Sequence, residues 1–169
     1  MTPIDVLILM GSESDAPIMS AAGEQLNEFG LNWEMTVASA HRSPARVLRL
    51  ILDAHNRGVK VFIVGAGAAA HLAGVIAAHT TRPVIGVPID SSALKGLDAL
   101  LSTVQMPGGI PVASMAIGPA GAKNAGVFAV QILALSDPQL AARLVEYKQQ
   151  LAADVALKDE ALQARLNQR

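Results

Sequence analysis

The chain has no cysteine, which excludes disulfides, thiolate metal ligands and thiol nucleophiles together. Aromatic residues are nearly as scarce, with one Trp, one Tyr and three Phe in 169 residues. A flavin site that stacks its ring on aromatic side chains is therefore hard to build. Excess charge of either sign is missing too: 13 Lys and Arg against 14 Asp and Glu leave a formal net charge of −1 and a pI near 6.4. Nucleic acids and anionic membrane surfaces call for a basic excess, so neither is expected as a partner. The opening MTPIDVLILMG has no basic segment and meets Asp5 early, so it does not read as a secretory signal. The longest hydrophobic stretch, Val61 to Ala78, is interrupted only by His71 and is nearly long enough to span a bilayer. Its content of Ala, with Gly65, Gly67 and Gly74, fits a strand, a glycine loop and a small-residue helix better. A soluble, cytoplasmic protein is the expectation.

What is present is apolar and small. Hydrophobic residues make up 51% of the chain and charged residues 16%, which excludes a disordered polymer. The length suits one domain able to bury roughly 70% of its unfolded surface. The 30 alanines let backbones approach closely, though each buries little area. Apolar surface left to cover predicts an oligomer rather than a monomer.

Short β-branched runs alternate with helical stretches five times. Val6–Met10 is a continuous apolar strand followed by the turn Gly11-Ser12. Ser14 or Asp15 can cap the next helix, with Pro17 in its first turn and Gly30 past its end. Asn32–Ala38 is the second strand. Ser43 and Pro44 then read as N-cap and first residue of a helix that buries Val47, Ile51 and Ala54 and closes at Gly58. Strands three to five are expected at Val59–Val64, Val84–Val87 and Val112–Ile117. Helices are expected to start near His71 and Leu97, with another over Gly121–Leu135.

Apolar strands without alternation suit a parallel sheet covered on both faces. The repeated βα units predict a three-layer α/β/α fold, a doubly wound five-stranded parallel sheet of flavodoxin-like order. From Pro138 the composition turns charged, and Leu140, Leu144, Leu151, Val155, Leu162 and Leu166 form a stripe near helical spacing. The expected organisation is an α/β domain over residues 1–136 and a long helical extension over 137–169. That extension packs either back on its own domain or on a neighbouring subunit.

Ligands of such sheets bind outside the carboxyl ends of the strands, so the loops leaving those ends are where chemistry is expected. After strand one, Gly11-Ser12-Glu13-Ser14-Asp15 offers a tight turn, hydroxyls and a helix start, which suits either a phosphate or ordinary N-capping. After strand two, Ser39-Ala40-His41-Arg42 sets a cation near a helix N-terminus, which is disfavoured unless an anion is present. Arg42 therefore reads as a phosphate or carboxylate fork. His41 is the best general acid/base candidate, because imidazole ordinarily titrates near neutral pH.

After strand three, Gly65 and Gly67 allow close backbone approach, and Ala68 to Ala70 leave room for a flat ring. This is not a dinucleotide fingerprint, since the third glycine is missing and the unit is the third strand. His71 either donates to a ligand or caps the loop. His55 reads as a surface or packing residue, and His79 as a complement to a helix C-terminus. The four histidines lack metal-site spacing, so no metal is expected. Gln105-Met106-Pro107-Gly108-Gly109 is either a turn or a flap over a ligand.

Taken together, MGSESD (Met10–Asp15), SAHR (Ser39–Arg42), GAGAAAHLAG (Gly65–Gly74), PVIGVP (Pro83–Pro88) and QMPGGIPV (Gln105–Val112) occur in order at familiar separations. In this the chain closely resembles the class I N5-carboxyaminoimidazole ribonucleotide (N5-CAIR) mutases of de novo purine biosynthesis, over about Val6 to Leu135. The resemblance implies an isomerase that moves the carboxylate of N5-CAIR from its exocyclic nitrogen to ring carbon four, giving 4-carboxyaminoimidazole ribonucleotide (CAIR). It implies no cofactor, an enzyme-bound CO2 intermediate, and a homo-octamer whose C-terminal helices reach adjacent subunits.

The same resemblance makes His41 the proton shuttle and Ser12, Asp15 and Arg42 substrate contacts, with Ser12 and Arg42 near the phosphate and Asp15 on the ribose. It extends the substrate pocket to Ser14 and Ser39, to the backbone of Gly65, Gly67 and Ala68 around the carboxylate or CO2, and to His71 and Met106. Two departures stand out: many relatives carry glycine at the position of Ala68 and proline at that of Ala73. The alternatives are an aminoimidazole ribonucleotide (AIR) carboxylase using free CO2, against which the third loop argues, and a non-catalytic mononucleotide-binding module.

Overall fold

The computed structural model describes residues 3–167. The chain divides into two compact units, Met1–Val130 and Gln131–Arg169, with the division falling inside a helix.

The first unit is built on five parallel strands: β1 (Val6–Met10), β2 (Trp33–Val37), β3 (Val61–Gly67), β4 (Val84–Ile89) and β5 (Ala113–Ser114). Their order is β2-β1-β3-β4-β5, the doubly wound arrangement expected. Between them run α1 (Ala16–Glu28), α2 (Pro44–Asn56), α3 (Leu72–Ala77) and α4 (Leu97–Val104), and α5 (Pro119–Ala134) follows β5. β1 and β4 are buried at every position, and β3 at all but its last. The edge strand β2 is half exposed, which its mixed sequence WEMTV reflects.

Alternation along the strands divides the core. Leu7, Leu9, Phe62 and Val64 point to one face and cluster with Val47, Ile51 and Ala54 of α2, Leu72, Ala73 and Ile76 of α3, and Ala99 of α4. Each such large side chain, fully buried, stabilises the fold by roughly 1.5–3 kcal/mol relative to exposure. Residues of opposite parity face α1, whose Met19 lies against Gly65. On that side α5 approaches α1 so closely that a Cβ at Gly126 would sit 2.8 Å from the carbonyl oxygen of Ala22.

Three expected boundaries shift. β3 starts at Val61 and continues through Gly65 and Gly67, so these glycines belong to the strand and not to a loop after it. They are held there by pairing with β4, Gly65 opposite Val87 and Gly67 opposite Ile89. β4 likewise runs on through Pro88 to Ile89. β5, expected over six residues, has two. Met115 still donates to the carbonyl of Gly86, but Pro88 has no N–H to give back, and the next bond to β4 comes from Gly118. The ladder ends where proline interrupts it.

The second unit is the end of α5 and the long helix α6 (Pro138–Leu166). Asp137 caps α6, accepting from the N–H groups of Gln139 and Leu140 at 2.9 and 3.2 Å, and Pro138 occupies the first turn. Leu151, Val155, Leu162 and Leu166 of the expected stripe are exposed. Positions 168 and 169 of the expected extension lie outside the described residues. Among the described residues, no helix is long and apolar enough to cross a membrane.

Candidate active site

At the carboxyl edge of the sheet a cleft of about 280 Å³ opens within the first unit. It is lined by Gly11, Ser12, Ser14 and Asp15 from the loop after β1, by Ser39 to Arg42 from the loop after β2, and by Ala66, Gly67, Ala69, Leu72 and Ser91. Three loops far apart in sequence meet there because β2, β1 and β3 are adjacent and parallel.

The first loop is held by its own side chains. Ser12 caps a short 3-10 turn, Glu13–Asp15: its hydroxyl accepts from the Ser14 N–H at 3.4 Å, and Asp15 Oδ2 accepts from the Ser12 N–H at 3.2 Å. The Ser14 hydroxyl donates to that of Ser12 at 2.9 Å. So Ser12, Ser14 and Asp15 cap the turn and line the cleft at once. Asp15 stands at the N-cap position of α1, yet its side chain makes no capping bond to that helix. It is only 5% exposed. Burial pushes its carboxyl above the usual range, against the lowering effect of the Ser12 N–H and the Ser14 hydroxyl.

The second loop is pinned by a reciprocal pair of serines. Ser43 precedes α2 as expected, but its hydroxyl does not cap that helix. It accepts from the Ser39 N–H and donates to the Ser39 carbonyl, each at 3.1 Å. The Ser39 hydroxyl in turn accepts from the Arg42 N–H at 3.1 Å. Closing the loop on itself in this way holds His41 and Arg42 out at the cleft. Arg42 Nη2 reaches the Gly11 carbonyl at 3.2 Å, which ties the second loop to the first.

The third wall is made by leaving atoms out. A Cβ on Gly65 would run into Met19 Sδ, and one on Gly67 would overlap Ser91 Oγ. Ala68 then turns the chain with φ +50°, a left-handed conformation that glycine adopts at less cost.

His71 stands at the N-cap position of α3, but its side chain makes no capping bond to that helix. Its Nδ1 instead lies 2.8 Å from Nε2 of His41, the two rings meeting edge to face at 85°. His71 and Met106 line a second cavity, of about 510 Å³, with Gly74, Val75, Ala78, His79, Leu101, Ser102 and Gln105.

The structure therefore gathers Ser12, Ser14, Asp15, Ser39, His41, Arg42 and Gly67 around one cleft. Gly65, Ala68, His71 and Met106 are not among its lining residues. Ser91 is a lining residue that the motif reading did not single out, although its place just after β4 was open to the same rule. His55 pairs with Thr80 Oγ1 and His79 with the Val75 carbonyl, each at 2.8 Å. Among the described residues, no group of three or more His, Asp or Glu could hold a metal ion.

Comparison with known proteins places this geometry. A protein-family model described as AIR carboxylase matches residues 5–154, which carries the likeness past Leu135 and into α6. A Thermotoga maritima protein named N5-carboxyaminoimidazole ribonucleotide mutase is 49% identical over 156 residues, 92% of this chain and 90% of that protein. A Mycobacterium tuberculosis protein of the same name is 51% identical, over 92% of this chain and 88% of its own length. The crystal structure of Treponema denticola PurE superposes with a TM-score of 0.84 at 28% identity, covering 93% of this chain and 97% of that one.

Proposed function

The chain belongs to the AIR carboxylase family, and from that premise we propose how its cleft works as an N5-carboxyaminoimidazole ribonucleotide mutase. It is an isomerase of purine biosynthesis, as its relatives' names at about 50% identity indicate. The observation that carries the mechanism is the convergence of one imidazole, one guanidinium and one buried carboxylate on a single cleft at the sheet's carboxyl edge.

Arg42 and the hydroxyl of Ser12 hold the phosphate of N5-CAIR, where positive charge and donors meet at the start of a helix. Asp15 accepts from the ribose hydroxyls. Ser14 and Ser39 shape the two loops, and the backbone from Gly65 to Ala68 closes around the carboxylate, with His71 and Met106 beyond it. When the bond between the exocyclic nitrogen and the carboxyl carbon breaks, its electrons stay on nitrogen and His41 supplies the proton that completes the amine. The CO2 released is held in the cleft and is attacked by ring carbon four. That carbon then loses its hydrogen to His41, which ends in the state in which it began. One proton has moved from carbon to nitrogen and one carboxyl group the other way, so a single imidazole suffices.

The protein acts as a cytoplasmic homo-oligomer, with an octamer the expected state. Leu94, Leu97, Leu101 and Val104 are all at least 48% exposed on and beside α4, a run of apolar side chains that a second copy would cover. The exposed leucines of α6 give the 137–169 extension the same role on a neighbouring subunit.

The test is conversion of N5-CAIR to CAIR by the purified protein without ATP, beside a mixture of AIR and bicarbonate. Turnover of N5-CAIR is the expected result. Activity confined to the AIR mixture would make the protein a carboxylase, and activity with neither would leave a nucleotide-binding module.

A further inference from the structure

Each of the two cavities contributes one histidine to a contact between their walls. His41 lines the first cavity and His71 the second, and their nitrogens are 2.8 Å apart. Two neutral nitrogens at that distance need one hydrogen between them, so one ring donates and the other accepts. The two arrangements have different consequences. If His71 donates, His41 Nε2 must be a bare acceptor, and the bond is lost whenever His41 becomes an imidazolium with hydrogens on both nitrogens. If His71 accepts at Nδ1, with its own proton on Nε2, His41 keeps its Nε2 hydrogen whether neutral or charged. Only then does one hydrogen bond survive both halves of the proton cycle.

We propose that His71 is a positioning residue for His41: neutral and accepting at Nδ1, it holds the Nε2 hydrogen of His41 and leaves Nδ1 as the nitrogen that carries the proton to and from substrate. This deepens the mechanism proposed above and rests on His41 being the shuttle. The logic is that of any histidine whose working nitrogen is set by the bond its other nitrogen makes. As the reaction charges His41, its Nε2 hydrogen stays on the lone pair of His71, so the ring keeps one orientation through both proton transfers. The other ionisable groups lining these cavities are Arg42 and Asp15 in the first and His79 in the second.

The test compares His71→Ala and His71→Asn with the wild type. Asn can set a carbonyl oxygen near the position of Nδ1, so it keeps the acceptor while removing the ring. His71→Ala is expected to lower kcat roughly 10- to 100-fold with KM little changed, the loss typical of removing an orienting partner. Its kcat–pH profile moves to lower pH, because the charged form of His41 has lost a partner. His71→Asn recovers most of the rate and the wild-type profile. In 15N NMR of histidine-labelled protein above neutral pH, the His41 signals, assigned by their loss in His41→Asn, report hydrogen on Nε2 in the wild type and a tautomer mixture in His71→Ala.

An unshifted profile in His71→Ala, an Asn variant as slow as the Ala variant, or a wild-type His41 with hydrogen on Nδ1 would each overturn the proposal. His41→Asn run in parallel separates the two claims. If that variant turns over normally, the shuttle assignment fails. If it is inactive while His71→Ala behaves as wild type, only the positioning role fails.

Discussion

The loops after β1 and β2 and the end of β3 face the same cleft, but they keep their shapes by opposite means. The first two are held by side chains: Ser12, Ser14 and Asp15 bond to one another, and Ser39 and Ser43 close their loop reciprocally. The third is held by the absence of side chains, with Met19 and Ser91 occupying the space that Cβ atoms at Gly65 and Gly67 would need. Damage should therefore differ in kind. Removing atoms from the polar loops takes away a donor, an acceptor or a charge, whereas adding atoms to β3 displaces the wall itself.

The largest effect is expected where atoms are added. Gly67→Val forces Ser91 aside and pushes into the cleft, and activity should fall below detection while the protein still folds. Near-normal turnover in that variant would mean that the β3 wall does not bound the site. Arg42→Ala comes next: KM for N5-CAIR should rise at least 10-fold with a smaller change in kcat, since the anion contact acts in ground and transition state alike. An unchanged KM would remove Arg42 from the phosphate.

Asp15→Asn sharpens the electrostatic side of the comparison. Burial holds the Asp15 carboxyl above its ordinary value, so between the unfolded and folded values the native state binds more protons than the unfolded one. Stability contributed by this group falls as pH rises through that window and stays lowered above it. Thermal unfolding without ligand should show Asp15→Asn more stable than wild type at neutral pH, with the gap closing in acid. A variant less stable than wild type at every pH would contradict the burial argument. The smallest effect on stability belongs to Ser12→Ala, which loses a long capping bond and should cost about 0.5–1 kcal/mol in denaturant unfolding, apart from any loss of its phosphate contact.

Much of the fold was legible in the residues. The continuous apolar runs of β1 and β3 announced strands buried on both faces, and Val47, Ile51 and Ala54 spaced α2 against the sheet as expected. The polar half of the site, after β1 and β2, was legible as cleft-lining positions from the rule that ligands of such sheets bind at the strands' carboxyl ends, although Ser12, Ser14, Asp15 and Ser39 also hold their own loops in shape. The glycine half was misread. In a single sequence glycine signals a turn; pairing with β4 makes Gly65 and Gly67 strand residues, and the packing of Met19 and Ser91 leaves no room for a Cβ at either. The shortness of β5 depends on what Pro88 withholds from a neighbouring strand, and the pairing of His41 with His71 spans thirty positions of chain. Neither leaves a local pattern.

The account rests most heavily on His41. The direct measurement is to mix His41→Asn with N5-CAIR, following CAIR formation and nucleotide binding in the same samples. The account predicts that the variant binds the nucleotide within a few-fold of the wild type but loses turnover by roughly 10²–10⁴-fold or more. Conversion at the wild-type rate would contradict it.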